Sequence, residues 1–157
     1  ADSGMVFVQS PKLEPAEIWA AIPAWARRSM IQKNARLFAL DTVKIAKEVS
    51  SLADLQQRMQ GIVLLGVFLR VTPFTSESGI SDEALFQGVE KSLRKYFGKR
   101  GERVVQDNLK AVSRGYRELI EIPRTVMLEN PGKAQGAAID KKDAAAVTIA
   151  AKESRKE

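Results

Sequence analysis

The chain contains no cysteine and no histidine. Without thiolates it can hold neither an iron–sulfur cluster nor a cysteine-type zinc site. Without imidazole it lacks the commonest general base, and a Ser-His-Asp triad is excluded. We expect no metal ligands in it. Disulfides are impossible, which is compatible with a cytoplasmic location, the one expected here. No run of ~18 apolar residues occurs, and the longest, residues 61–69, is half of that, so no membrane association is expected. Aromatic residues make up only 6% of the chain. Those that periodicity places sit on apolar faces rather than among basic residues, which argues against a stacking platform for nucleic acid.

What is present suits a globular chain. It has 157 residues, 45% of them hydrophobic and 28% charged, enough to bury a core. The net charge is +6. Much of the excess lies in residues 91–103, where Lys91, Arg94, Lys95, Lys99, Arg100 and Arg103 stand against Glu102 alone. Such a patch can face nucleic acid, a phosphorylated cofactor or an acidic protein, or it can be an ordinary solvated helix face.

Residues 35–50, ARLFALDTVKIAKEVS, organise the rest. They read as a short buried strand over 36–40 that turns directly into a helix capped by Asp41, whose carboxylate can accept from free N–H groups of the first turn. Its charge also suits the positive end of the helix dipole. Val43, Ala46 and Val49 give the apolar face. In open α/β sheets the carboxyl ends of strands line the ligand crevice. Asp41 is thus either a plain cap or a cap that also faces a site.

Before this unit, residues 5–9, MVFVQ, read as a strand closed by Ser10-Pro11. Two helical pieces follow, separated by Pro23, and Asn34 closes the second in a left-handed conformation. After the unit comes a helix over 52–70, with Leu55, Met59, Val63 and Val67 on one face and a second half that is apolar all round. That pattern predicts burial on every side. Gly61 and Gly66 within it are expected to permit close approach of another backbone. Residues 75–81 read as a loop. A helix capped at Ser81 or Asp82 carries the stripe Leu85, Val89 and Leu93. Gly98 and Gly101 then bracket a break, and a last helix runs over 102–121. Residues 130–157 read as a mobile or extended tail poor in large apolar groups, with a helix over 141–152 as one option.

This order predicts an α/β fold with parallel strands. Two strands are too few for an independent parallel sheet. We therefore expect an incomplete Rossmann-like parallel sheet with helices on its faces, a helical C-terminal half and an extended tail. The missing strands would come from another chain or from sequence outside this one. The alternative is a self-sufficient chain with further strands of its own, for example around 124–128.

The stretch SPKLEPAEIWAAIPAWARRSMIQKNARLFALDTVKIAKEV, residues 10–49, resembles the second half of the gamma domain of the 2-oxoacid:ferredoxin oxidoreductases. The likeness lies in a strand ending in a Ser-Pro turn, a helix, and a strand running into an Asp-capped helix with Asp41, Thr42, Val43, Lys44, Ile45 and Ala46. It continues through Met59-Gln60, Pro73-Phe74 and the turn Tyr96-Phe97-Gly98-Lys99-Arg100-Gly101-Glu102, to the helix holding Asn108. It covers residues 5–122, leaving 123–157 as an extended or partner-ordered tail. Two features depart from the pattern. The glycine-rich strand–turn–helix that opens the family domain is missing, and residues 57–74 run slightly longer.

The resemblance implies a non-catalytic subunit of an enzyme that oxidatively decarboxylates a 2-oxoacid such as pyruvate to an acyl-CoA, with electrons passed to ferredoxin. Thiamine diphosphate and the iron–sulfur clusters would lie in partner subunits, and ferredoxin would be met only indirectly. The gamma-type chain would help bind CoA and brace the assembly. On that reading Arg94, Lys95, Lys99 and Arg100 attract the CoA phosphates, with Asp41 and Gln60 as further candidates for cofactor contact. Gln60 is otherwise a polar anchor facing a subunit, or a hydrogen-bonded core amide. The alternatives are a basic interaction module without enzymatic role and a nucleic-acid-binding protein.

Overall fold

The computed structural model describes residues 4–50 and 52–132. In chain order the elements are β1 (Met5–Gln9), α1 (Pro15–Ala20), α2 (Ala24–Gln32), β2 (Arg36–Leu40), α3 (Thr42–Val49), α4 (Ala53–Val71), α5 (Phe74–Ser78), α6 (Asp82–Phe97), a 3₁₀ turn at Gly98–Arg100, α7 (Glu102–Glu118), β3 (Ile120–Glu121) and α8 (Arg124–Glu129). They fall into two compact units, one of residues 4–40 with 120–132 and the other Asp41–Leu119.

The first unit is α/β. Its sheet has the order β1-β2-β3. β1 and β2 are parallel, as the order of elements predicts, in register from Met5 opposite Arg36 to Gln9 opposite Leu40. Asn34 takes the expected left-handed conformation at φ 53° just before β2. The third strand was not foreseen. The sequence pattern carries the last helix to residue 121, but the backbone leaves α7 at Leu119 (φ −57°, ψ 132°). It then pairs antiparallel with β2, Ala39 opposite Ile120 and Phe38 opposite Glu121. The sheet is therefore mixed. Two effects hold the new strand. Ile120 and Ile122 alternate into the core around Glu121, and Arg36 grips the Glu121 carboxylate with two hydrogen bonds of 2.7 and 2.9 Å.

The core of this unit gathers Ile18 and Trp19 of α1, Met30 of α2, Leu37 and Ala39 of β2, Ile122 and Met127, with Val6 and Val8 packed against it. The three helices thus cover the sheet face bearing Val6, Val8, Leu37 and Ala39. Residues 124–129, expected to begin the tail or to hide a strand, are helical and place Met127 in that core. Trp19 is fully buried and its indole N–H donates to the carbonyl of Asn130 at 2.7 Å. Arg27 donates to the same carbonyl at 3.3 Å, and Arg28 to that of Gly132 at 3.3 Å. The rest of the expected tail, with its optional helix, lies outside the described residues.

The second unit is helical. Asp41 caps α3 as foreseen, its Oδ1 accepting from the Lys44 N–H at 3.0 Å. The buried face of α3 is Thr42, Ile45, Ala46 and Val49. Val43, expected on that face, is only half-buried and Ile45 takes its place. Burial of α4 is a correction too. Met59, Val63, Gly66 and Val67 are buried, but Leu65 is 40% and Phe68 54% exposed, so the helix is covered on one side, not all round. Residues 75–81 do not form a plain loop, since α5 occupies Phe74–Ser78 after the break at Pro73.

The two glycines of α4 differ. A Cβ on Gly66 would lie 2.1 Å from the Val112 carbonyl oxygen of α7, and one on Gly115 of α7 would lie 2.1 Å from the Val63 carbonyl oxygen. Gly66 thus has the close approach expected of it. Gly61 faces open space, with nothing within 4 Å, so that expectation fails there. Where α6 meets α7, the Tyr116 hydroxyl donates to Asp82 at 2.7 Å and its ring stands edge-on to Phe86 at 5.1 Å.

Candidate functional site

The basic stretch folds into an elbow. Ser81 caps α6, its hydroxyl accepting from the Ala84 N–H at 3.2 Å. Leu93 is the buried residue near the far end of that helix. The chain then makes one 3₁₀ turn, Gly98–Arg100, and reverses at Gly101. Gly101 has φ +106°, a conformation that a residue with a Cβ rarely adopts, which is why glycine stands there.

Arg94 clamps the elbow. Its guanidinium donates to both carboxylate oxygens of Glu102, one contact at 2.8 Å, and to Glu90 at 2.8 Å. Gln106 adds a hydrogen bond to Glu102 at 2.8 Å. The hydrogen bonds from Arg94, and then from Gln106, hold the Glu102 carboxyl down at about 2. Glu102 and Glu90 in turn raise the pKa of Arg94. Arg94 is therefore committed to two carboxylates and shapes the turn.

Lys95, Lys99 and Arg100 lie beside it, all exposed. None of the three forms an ion pair with a described residue. Tyr96 stands among them, 74% exposed, with the Lys95 ammonium 6.0 Å from its ring centroid. This corrects the expectation that aromatics sit apart from the basic residues. The signal was in the spacing: Leu85, Val89, Leu93 and Phe97 recur every four residues, and Tyr96 falls outside that series.

Asp41 and Gln60 are not joined to this cluster by any hydrogen bond or ion pair among the described residues. Asp41 is half-buried at the start of α3, and Gln60 is half-buried on α4 beside Met59. The Gln60 amide makes no hydrogen bond to another described residue. A second group that the sequence did not suggest is Arg114 on α7, which bridges Glu118 at 2.6 Å and Glu48 of α3 at 2.6 Å. Its pKa is raised, by the hydrogen bond to Glu118 first. The concavities found are shallow, one of them lined by Phe68, Thr72, Pro73, Glu77 and Ser78.

The described residues hold no group of three or more metal-ligating side chains. The whole chain has no cysteine, so iron–sulfur clusters do not fit it. What the elbow offers chemically is exposed positive charge beside an aromatic face.

With the fold and the elbow described, the sequence comparisons supply the family. Residues 1–118 match the profile of the family described as pyruvate ferredoxin/flavodoxin oxidoreductase, and the chain belongs to that family. A relative from Synechocystis sp., whose name also places it among pyruvate-flavodoxin oxidoreductases, is 26% identical over 132 residues, 83% of this chain and 10% of that protein. The pyruvate-flavodoxin oxidoreductase of Trichormus variabilis is 24% identical over 76% of this chain and 9% of its own length. The pyruvate:ferredoxin oxidoreductase of Moorella thermoacetica is 25% identical over the same shares. The chain thus spans about a tenth of the length of the curated relatives it matches. No helix among the described residues is long and apolar enough to cross a membrane.

Proposed function

We propose that this chain is a gamma-type, non-catalytic part of a 2-oxoacid:ferredoxin oxidoreductase assembly, in the cytoplasm. The assembly oxidatively decarboxylates a 2-oxoacid such as pyruvate to an acyl-CoA and passes electrons to ferredoxin or flavodoxin. The observation that carries this reading is the family match across residues 1–118 of a chain with neither cysteine nor histidine. Its companions would hold the thiamine diphosphate and the iron–sulfur clusters. This chain braces them and helps to hold CoA.

The elbow supports the CoA role on charge. CoA carries a diphosphate and a ribose phosphate, and Lys95, Lys99 and Arg100 present cations not committed to carboxylates. Arg94 keeps the turn in shape. Asp41 stands at the carboxyl end of β2, where such sheets take ligands, and Gln60 offers a half-buried amide. The exposed Tyr96 beside these cations would also suit a nucleic-acid binder, and it is the family match that favours the present reading over that one and over a basic interaction module.

Native mass spectrometry of the assembly purified from its source tests the proposal. Thiamine- and cluster-bearing subunits are expected with this chain. Recovery of the chain alone under gentle conditions overturns it.

A further inference from the structure

Arginines of the helical unit are held in two ways. Arg94 and Arg114 are ion-paired, the first to Glu90 and Glu102, the second to Glu48 and Glu118. Arg70 of α4 and Arg117 of α7 form no ion pair with a described residue, and aromatic rings hold them instead. The Arg70 Cζ lies 5.5 Å from the centroid of the Tyr116 ring, and the Arg117 Cζ lies 5.3 Å from that of Phe86. Both distances fall within the range of cation–π attraction. The two rings themselves form an edge-to-face pair, 5.1 Å apart and inclined at 87°. Tyr116 is buried and Phe86 half-buried, while both arginines are exposed.

Very little of their donor capacity is used. The Arg117 Nε donates to the Ser113 hydroxyl at 3.2 Å. The other N–H groups of the two guanidiniums make no hydrogen bond to a described residue. Asp82, the carboxylate that touches this group, accepts from the Tyr116 hydroxyl at 2.7 Å. A guanidinium lying on a ring keeps its in-plane fork of N–H groups for a carboxylate, and the ring restricts its motion beforehand. Less freedom is then lost when a partner binds. Arginine beside tyrosine or another aromatic is also the composition of interface hot spots. The group is separate from the elbow. Phe86 and Lys95 stand nine residues apart along α6, roughly 14 Å at the helical rise.

We propose that Arg70 and Arg117 form an interaction surface for an acidic polypeptide, each guanidinium stacked on its ring and gripping one carboxylate of the partner. Two forks, each on a ring of its own, match two carboxylates better than one oxyanion. The inference does not depend on the CoA role.

Fluorescence anisotropy of a labelled peptide of alternating glutamate and glycine, titrated with the full chain, tests it. At fixed ionic strength, Arg70→Gln with Arg117→Gln is expected to weaken binding on the order of tenfold or more, as for loss of charge-assisted hydrogen bonds. Arg58→Gln with Arg103→Gln removes the same charge from two other exposed positions and should weaken it far less. Equal losses in the two pairs, or no binding by the native chain, overturn the proposal. Arg70→Lys with Arg117→Lys keeps the charge but not the planar fork, and should lose most of the affinity. Native affinity in that variant overturns the role of the stacked guanidiniums. Inorganic phosphate that displaces the peptide at a lower concentration than the peptide itself requires overturns the choice of a polypeptide. Nuclear magnetic resonance of the native chain needs no variant. The ring resonances of Phe86 and Tyr116 should move as the peptide binds, and rings that stay unmoved by bound peptide overturn the surface.

Discussion

Gly66 of α4 and Gly115 of α7 face each other so closely that a methyl group on either would lie 2.1 Å from a carbonyl oxygen of the opposite helix. The crossing exists because both positions lack a Cβ. Gly66→Ala or Gly115→Ala should therefore destabilise the protein by about 3 kcal/mol or more, the upper end of overpacking costs, since backbone must move. Gly61→Ala, in open space on the same helix, should stabilise by up to about 1 kcal/mol. Urea denaturation of the three variants measures all of this, and equal effects at Gly61 and Gly66 would refute it.

Asp41→Ala should cost about 1 kcal/mol through loss of the cap bond to Lys44, whereas Asp41→Asn, itself a good cap, should cost only tenths. Thermal melts separate the two. An Asn variant as unstable as the Ala variant would mean that the charge, not the cap bond, matters.

Of the fold, the strand-to-helix turn at Asp41 and the parallel pair were legible because each rests on neighbours in sequence: a β-branched or aromatic run, then a cap. β3 was not. Its two residues continue the helical pattern of α7, and only pairing with Phe38 and Ala39, 82 positions or so away in sequence, makes them extended. The outer side of α4 misled for a related reason. Leu65 and Phe68 are apolar, and periodicity cannot tell an apolar face that is covered from one that is open. In the elbow, the cationic residues were visible from composition, but the commitment of Arg94 to Glu90 and Glu102 depends on how α6 folds back on α7. Gly115 passed unnoticed because its importance lies wholly in what stands opposite.

The clamp on Glu102 gives a pH signature. Its folded pKa of about 2 lies below the ordinary 4.5, so its contribution is fully present above 4.5 and is lost as pH falls toward 2. The stability difference between the native protein and Glu102→Gln should accordingly shrink over that window and stay flat above it. Parallel urea titrations at several pH values measure the difference. A gap that widened on acidification would contradict the clamp.

If the proposed CoA role holds, replacing Lys99 and Arg100 together by alanine should raise the KM of the proposed assembly for CoA by on the order of tenfold or more, as expected for loss of charge-assisted contacts, with little change in subunit composition. The effect should fade at high salt. Arg94→Ala should lower thermal stability as well, because it also frees the turn. An unchanged KM for CoA in the Lys99/Arg100 variant would remove the elbow from cofactor binding.

Because Ala39 and Ile120 stand opposite each other in an antiparallel pair, the whole segment 41–119 leaves and returns at adjacent points of one sheet. It is wired like a cassette between two rungs of a hairpin. Its two ends are therefore held one strand spacing apart, roughly 5 Å, and whatever stands in its place must begin and end at that separation.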